Sequence, residues 1–179
     1  HCIGGPGLKL ALETGIDVIE HGYFVTDEEI ESLLKYDRWL VMTPSIFFTD
    51  TRIRTLPPDL IEGHLRQREE VRGRLAAAIR AGVKYAAGTD GMHGGLAREI
   101  AYLVEMGATP AAALQAATAD AARVCGLGDR VGTLRKGKLA DVIGVEGNPL
   151  EDPGALERVR TVILEGRVVK KEGSAFPVG

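Results

Sequence analysis

Short apolar runs alternate with longer amphipathic stretches through the first two thirds of this sequence. Four mostly nonpolar runs each stop at a polar residue or a glycine, which is typical of buried strands. These runs are 1–3, 17–22, 39–44 and 83–87. Five other stretches repeat apolar side chains every three or four positions, which predicts helices. They are the stretch that follows the turn 4–7 and stops at 15, the stretch that opens at 26, the stretches 58–81 and 96–106, and the stretch that begins at 109.

The alternation of strands and helices predicts a parallel sheet with crossover helices. A complete (β/α)8 barrel takes ~250 residues, so the first 126 residues fit half of one. A small open doubly wound sheet is the alternative, and it also places ligands at the carboxyl ends of its strands. The predicted fold class is therefore α/β, with half of a TIM barrel as the favoured architecture.

The pattern changes after residue 126. The segment 132–141 contains regularly placed glycines. Strands are predicted at 142–145, 160–164 and 167–170. A tight turn at Glu165-Gly166 is expected to join the last two strands. A sheet of so few strands is not expected to be stable alone. We therefore expect these strands to pair with other strands outside the given sequence. The predicted domains are residues 1–126 and 127–179.

Local signals refine the helical part. Thr26 and Glu29 have the spacing of a capping box, which predicts a helix start at that point. The polar, proline-marked stretch 50–58 predicts a loop long enough to cover a site. His64 is expected on the surface of the long helix 58–81, and Cys125 is expected in the core.

Composition and charge exclude several classes of protein. The chain has 179 residues, of which 45% are hydrophobic and 26% charged, and its net charge is only -3. This balance does not predict binding to nucleic acid or to an anionic membrane. No apolar run approaches the ~20 residues that a bilayer requires, and no signal-peptide pattern is present. The two cysteines form no disulfide framework, which predicts a reducing, cytoplasmic location.

Three residues that can bind a metal lie at the ends of predicted strands. His1 and His21 each end an apolar run, and Asp90 follows the run 83–87. The carboxyl ends of parallel strands meet on one face, which is where barrel active sites lie. A single histidine would more often have a surface or capping role, but two imidazoles with a carboxylate suit zinc or a related divalent ion. Asp90 can also serve as the general base for a water that such a metal activates.

Two further residues are candidates for substrate contact. Tyr23 follows His21 at the same end of the predicted sheet. The sequence is equally compatible with a Tyr23 side chain that lines a pocket and with one that only packs in the core. His93 lies just beyond Asp90 in a glycine-rich loop, where substrate contact and solvent exposure are both open.

The motifs taken together resemble a known family. Ile19-Glu20-His21-Gly22, Ala87-Gly88-Thr89-Asp90, the run 111–126 and the segment 132–141 with Gly147-Asn148-Pro149-Leu150 are similar to the carboxyl-terminal half of the amidohydrolase superfamily. Within this superfamily, the sequence resembles the imidazolonepropionase-like and Xaa-Pro dipeptidase (prolidase)-like members most. The resemblance implies a metal-dependent (β/α)8 barrel with a small composite β-sandwich.

The resemblance also implies roles for single residues. His1 and His21 match the metal-binding histidines of the fifth and sixth strands, and Asp90 matches the metal-binding acid and general base of the eighth. Many relatives read His-Ala-His-Gly where this chain reads His1-Cys2-Ile3-Gly4, so the second histidine of that motif is absent. The His-x-His of the first strand and the bridging carboxylated lysine of the fourth would lie upstream of His1. We therefore expect the chain, which does not begin with Met, to be part of a longer protein.

Two functions follow from these observations. The first is the carboxyl-terminal half of a hydrolase of C–N bonds in amides, cyclic amides or dipeptides, with one or two zinc ions in the complete enzyme and activity only when the amino-terminal half is supplied. The second is a non-catalytic half-barrel held by self-association through its open sheet edges.

Overall fold

Two β-sheets and a set of crossover helices make up the computed structural model of this protein, which describes residues 1–91, 94–172 and 174–175. The helices are α1 (Pro6–Glu13), α2 (Asp27–Lys35), α3 (Ser45–Phe48), α4 (Asp50–Thr55), α5 (Pro58–Ala81), α6 (Leu96–Glu105), α7 (Pro110–Ala116) and α8 (Ala119–Val124). The strands are β1 (Val18–Glu20), β2 (Trp39–Met42), β3 (Lys84–Ala87), β4 (Val142–Val145), β5 (Val159–Leu164), β6 (Arg167–Lys171) and β7 (Ser174–Ala175). A 3-10 helix spans Pro153–Glu157.

The first sheet is parallel, and its strands follow one another in chain order. Its order is β1-β2-β3, and Cys2 adds a further parallel bridge beside His21 at the outer edge of β1. Helices carry each connection between neighbouring strands. In a doubly wound sheet the strand order reverses at a switch point. The unbroken order seen here fits a barrel sector, and the parallel sheet with crossover helices confirms the predicted α/β class.

The predicted helix start at Thr26 is confirmed in atomic detail. The hydroxyl of Thr26 accepts a hydrogen bond from the backbone N–H of Glu29 at 3.3 Å, and the carboxylate of Glu29 accepts one from the N–H of Thr26 at 2.8 Å. The same carboxylate accepts the N–H of Gly5 at 2.5 Å. This capping box therefore fixes the start of α2 and ties it to the turn that precedes α1.

The segment between β2 and the long helix differs from the prediction. The stretch 50–58 was expected to be a loop, and the structure places α4 over its first six residues and begins α5 at Pro58. The two prolines at 57 and 58 mark the boundary between these helices, because the residue before a proline is driven out of helical conformation. Arg68 on α5 donates a hydrogen bond to the carbonyl of Phe48, which ties α3 to the long helix.

Two predictions about single side chains are wrong. His64 is only 7% exposed, because its face of α5 turns inward and its ring stacks on Phe47 with centroids 5.7 Å apart. Cys125 is exposed rather than buried, because it lies at the carboxyl end of α8 where the helix stops. The core is formed by side chains from the helices and the parallel sheet, including Leu8, Leu12, Val25, Leu33, Leu40, Met42, Val71, Leu75 and Leu103.

The second sheet is antiparallel, with the order β4-β5-β6-β7. The predicted turn at Glu165-Gly166 joins β5 to β6 and is confirmed. The strands pair with one another, and within the described part of the chain the outer edge of β4 has no partner strand. Ala155 in the 3-10 helix is fully buried, and Arg98 on α6 pairs with Glu157 at 3.6 Å. A domain boundary at residue 126 stays a prediction.

Within the described residues, none of the helices combines the length and the apolar character needed to cross a bilayer.

Candidate functional site

The end of β1 places His21 at the centre of the candidate site. The backbone N–H of His21 is held by the carbonyl of Val41 at 2.8 Å, and φ of His21 is 83°. A positive φ is uncommon outside glycine, and such residues cluster at functional sites. Gly22 follows with φ 59°, and a Cβ there would lie 2.5 Å from Leu40 Cδ1. The chain therefore turns sharply at the strand end, and only glycine fits at the next position.

Two predicted metal ligands lie side by side. His1 Nδ1 and His21 Nε2 are 2.9 Å apart, and the ring centroids are separated by 5.0 Å. His1 is exposed, whereas His21 is only 8% exposed. Backbone hydrogen bonds between Cys2 and the β1 end, at 3.1 Å and 3.0 Å, hold the two segments in this register. The pair therefore presents one buried and one accessible imidazole toward the same space.

Thr43 supports this pair, and sequence reasoning did not select it. Its Oγ1 lies 3.0 Å from His21 Nδ1 and 2.5 Å from the hydroxyl of Tyr23, and the residue is 2% exposed. The only sequence signal was a polar residue at the end of the apolar run of β2. Because its two partners lie 22 and 20 positions away in sequence, local patterns could not reveal them.

The aromatic ring of Tyr23 lies beside the imidazoles. Its ring stacks on His21 with centroids 5.3 Å apart, and it meets Phe47 edge-on at 4.8 Å. The residue is 5% exposed, and its hydroxyl also donates to the carbonyl of Thr43 at 3.2 Å. Substrate contact by Tyr23 stays a prediction. His93, the second candidate for substrate contact, lies outside the described residues.

Asp90 follows β3 and is exposed, with φ 45°. Strand β2 lies between β3 and β1, so the ends that carry Asp90 and His21 are separated by two strand spacings, ~9–10 Å. Among the residues that the structure describes, no three His, Cys, Asp or Glu side chains lie close enough to hold a metal. The structure thus brings the two imidazoles together, whereas Asp90 lies apart from them at the same end of the parallel sheet.

A cavity with several hydroxyl groups lies next to the residues on either side of Asp90. Its volume is about 280 Å³, and it lies between the carboxyl ends of β2 and β3. Its lining includes Ser45 and Thr49 from one side, Thr89 and Gly91 from the other, and Arg98 from α6. Hydroxyl groups and a guanidinium can bind the polar end of a small molecule beside Asp90.

Glu99, on α6, is a buried acid behind the carboxyl ends of the parallel strands. It is fully buried, and its Oε2 accepts a hydrogen bond from the backbone N–H of Ser45 at 3.0 Å. Burial raises the pKa of Glu99 to about 7, and hydrogen bonding from Ser45 opposes that rise only in part. A sequence signal was present, since Glu99 is three residues after Leu96 and four before Leu103 on the apolar face of α6.

The two imidazole nitrogens lie at hydrogen-bond distance, slightly closer than two nitrogens that share one zinc ion. Two nitrogens that bind one tetrahedral zinc at ~2.0–2.1 Å lie ~3.3 Å apart. The separation of 2.9 Å between His1 Nδ1 and His21 Nε2 is within a few tenths of an ångström of that value. The hydrogen bond between His21 Nδ1 and Thr43 Oγ1 is an outer contact of the kind that the second ring nitrogen of a metal-binding histidine usually makes.

Comparison with known proteins decides the family. A model described as the amidohydrolase family matches residues 1–169. The chain belongs to the amidohydrolase family. The predicted resemblance is thereby confirmed.

Relatives in sequence include an uncharacterized protein of Mycobacterium tuberculosis, 36% identical over 176 residues, with 90% of this chain and 44% of the relative covered. Ochratoxinase of Aspergillus niger is 35% identical over 175 residues, with 90% of this chain and 35% of that protein covered. Imidazolonepropionase of Nocardia farcinica is 32% identical over 148 residues, with 79% of this chain and 33% of that protein covered. The chain thus spans less than half the length of these relatives.

Solved structures match closely in fold. A Xaa-Pro dipeptidase with bound methionine in its active site superposes with a TM-score of 0.85 and 33% identity, covering 95% of this chain and 44% of that one. The structure of ochratoxinase from A. niger also gives a TM-score of 0.85, with 31% identity and 97% of this chain covered, against 41% of the ochratoxinase chain. The predicted prolidase-like branch is therefore represented among the structural relatives.

Proposed function

We propose that this chain carries part of the active site of a metal-dependent hydrolase of C–N bonds in amides, cyclic amides or dipeptides. His1, His21 and Asp90 would hold the divalent ion, and zinc is the preferred metal because it favours imidazole and carboxylate ligands. Asp90 would also act as general base. A cytoplasmic location belongs to the same proposal.

The observation that carries the proposal is the pair of imidazole nitrogens 2.9 Å apart at the carboxyl ends of parallel strands. Its outer nitrogen, His21 Nδ1, is anchored to Thr43, and Asp90 stands on the same rim after the third strand. This arrangement of two histidines and an acid on one face supports a metal-dependent reaction.

The ion would lower the pKa of a water molecule and polarise the carbonyl of the scissile bond. Asp90 would accept the proton that this water loses as its oxygen attacks the carbonyl carbon. When the C–N bond breaks, Asp90 would return that proton to the leaving nitrogen. The exposed position of Asp90 beside a polar cavity of about 280 Å³ gives a small substrate access to it. The ring of Tyr23, which stacks on His21, would contact the substrate beside the imidazoles.

The remaining ligands, a His-x-His and a carboxylated lysine in the family, would be supplied from outside these 179 residues. The test is hydrolysis of a panel of dipeptides, N-acyl amino acids and cyclic amides by the chain alone and with the upstream part of a relative, such as the Xaa-Pro dipeptidase, supplied in trans. We expect little or no turnover alone and measurable turnover with the upstream part.

The matched variants are Asp90→Asn and Asp37→Asn. Both aspartates are exposed and have positive φ, 45° and 56°, so both substitutions remove a carboxylate from a similar backbone, although Asp37 also pairs with Lys84 at 2.7 Å. We expect Asp90→Asn to abolish the reconstituted turnover and Asp37→Asn to retain it. Turnover by the chain alone, or turnover that survives Asp90→Asn, would contradict the proposal. Failure of every reconstitution, with self-association of the chain, would favour the non-catalytic half-barrel.

A further inference from the structure

We propose that Arg98 is a specificity-determining residue that binds a free carboxylate of the substrate in the cavity beside Asp90. The preferred substrates would then be dipeptides and N-acyl amino acids, in which a carboxylate lies next to the scissile amide, rather than neutral amides. This assignment of a substrate class rests on the proposed function. The binding of a carboxylate at Arg98 is a property of the metal-free chain and can be measured without hydrolysis.

The cavity of about 280 Å³ lies directly beside the proposed general base. Thr89 and Gly91, the two chain neighbours of Asp90, both line it. Consecutive Cα atoms are about 3.8 Å apart, so a group bound in the cavity lies close to the backbone of Asp90. In an N-acyl amino acid the carboxylate carbon is two bonds away from the nitrogen of the scissile amide. A carboxylate held in this cavity therefore leaves the scissile bond close to Asp90.

Arg98 supplies the positive charge of this cavity. Among the described lining residues it is the one charged side chain, and the others are serine, threonine, isoleucine and glycine. A guanidinium presents a planar fork of N–H donors that matches a carboxylate with two parallel hydrogen bonds. Thr51 and Thr89 carry hydroxyls that can add a further donor. One guanidinium balances a single negative charge, so this set of donors favours a carboxylate over a phosphate.

The ion pair that Arg98 makes in the structure does not prevent it from binding a ligand. Its Nε lies 3.6 Å from a carboxylate oxygen of Glu157, and the two side chains are 63% and 59% exposed. An exposed ion pair of this kind contributes little free energy. A ligand carboxylate can therefore replace Glu157 at the guanidinium at little cost.

The acids around the cavity differ in their effect on a bound carboxylate. Asp50 on α4 pairs with Arg68 at 3.4 Å, so its charge is partly balanced. Burial raises the pKa of Glu99 to about 7, so this acid is mostly neutral at pH 6.5. Asp90 repels a second carboxylate when no metal is bound, and Asp90→Asn removes this repulsion. The metal-free Asp90→Asn chain is therefore the background in which carboxylate binding is measured.

The test is an NMR titration of this variant at pH 6.5 with N-acetylglycine and with its neutral counterpart N-acetylglycinamide. The readout is the chemical shift of the backbone amides of Gly91 and Gly95, which line the cavity. We expect N-acetylglycine to bind about tenfold more tightly than the amide, because hydrogen bonds to a charged group are stronger than those between neutral groups. Arg98→Gln in the same background should remove this preference.

Two further variants separate direct binding from a merely structural role of Arg98. Arg66→Gln removes a similarly exposed guanidinium on α5, which pairs with Glu62 at 2.6 Å and is not part of the described cavity lining. It should leave the preference unchanged. Glu157→Gln breaks the same ion pair as Arg98→Gln but keeps the guanidinium, so it should retain or strengthen the binding of N-acetylglycine.

Three results would overturn the proposal. They are equal affinity for the two probes in the Asp90→Asn chain, a preference that survives Arg98→Gln, and a preference that Glu157→Gln also removes. The binding preference and the hydrolysis are measured separately. A preference that depends on Arg98, found while every reconstitution fails to hydrolyse its substrates, would support the carboxylate site and count against the proposed function.

Discussion

Glu99→Gln is expected to change how the stability of the chain depends on pH. Glu99 is fully buried, and its pKa is raised by burial from 4.5 to about 7. Below pH 4.5 the side chain is protonated in both the folded and the unfolded chain. Between pH 4.5 and 7 the unfolded chain loses the proton while the folded chain keeps it, so stability falls with rising pH. Above pH 7 the loss is complete.

The size of the effect follows from the two pKa values. One pKa unit corresponds to 1.36 kcal/mol, so a rise from 4.5 to about 7 amounts to roughly 3 kcal/mol of stability lost between acid and alkaline pH. Glutamine cannot ionise, so the variant lacks this loss. The free energy of unfolding of Glu99→Gln minus that of the wild type should therefore rise by roughly 3 kcal/mol between pH 4 and pH 8.

Urea unfolding at a series of pH values measures this difference, with the fluorescence of Trp39, the single tryptophan, as the probe. The control is Glu105→Gln, which removes an exposed carboxylate from the same helix, paired with Arg72 at 3.4 Å. Its pH profile should run nearly parallel to that of the wild type, because exposed pairs contribute little. A Glu99→Gln profile that is also parallel to the wild type would refute the account of Glu99 as a buried, largely neutral acid.

Three further predictions concern packing and helix stability, each measured by urea unfolding. Gly88→Ala should cost about 1–3 kcal/mol, because the new Cβ would lie 2.8 Å from Cγ1 of the stiff, buried Val41, and a loss below 0.5 kcal/mol would contradict this packing. Gly73→Ala, where nothing lies within 4 Å of the new Cβ, should instead stabilise the exposed middle of α5 by about 0.5–1 kcal/mol, and a destabilised variant would count against an unbroken helix there. Thr26→Ala should cost about 1 kcal/mol by removing the cap of α2, and equal stability would show that the capping box contributes nothing.

The order of elements could be predicted because each one carries its own local signal. Each of the strands β1, β2 and β3 coincides with an apolar run of the sequence. The spacing between Thr26 and Glu29, typical of a capping box, predicted one helix start. The segment 50–55 could not be assigned, since its polar residues permit both a loop and a short helix. The contact of Arg68 on α5 with Asp50, at 3.4 Å, is a tertiary effect that local patterns do not show.

The candidate site was predictable only in part, for a different reason. His21 and Asp90 were recognisable because each ends an apolar run. The hydrogen bonds of Thr43 join residues 20 and 22 positions apart, so they depend on the register between β1 and β2. Burial of Glu99 and His64 likewise depends on which helix face meets α3. Strand and helix periodicity specify the elements, and these long-range contacts follow only from the assembled sheet.

In the function proposed above, His1, His21 and Asp90 form part of a metal site. The most direct measurement is the zinc content of the purified chain by elemental analysis after dialysis against micromolar zinc. His21→Ala, Asp90→Asn and the control Asp37→Asn are measured beside the wild type. With the upstream part of a relative supplied, we predict near-stoichiometric zinc in the wild type and in Asp37→Asn, and less zinc in the other two variants. Absence of zinc from the reconstituted wild type, or undiminished zinc in both His21→Ala and Asp90→Asn, would contradict the account.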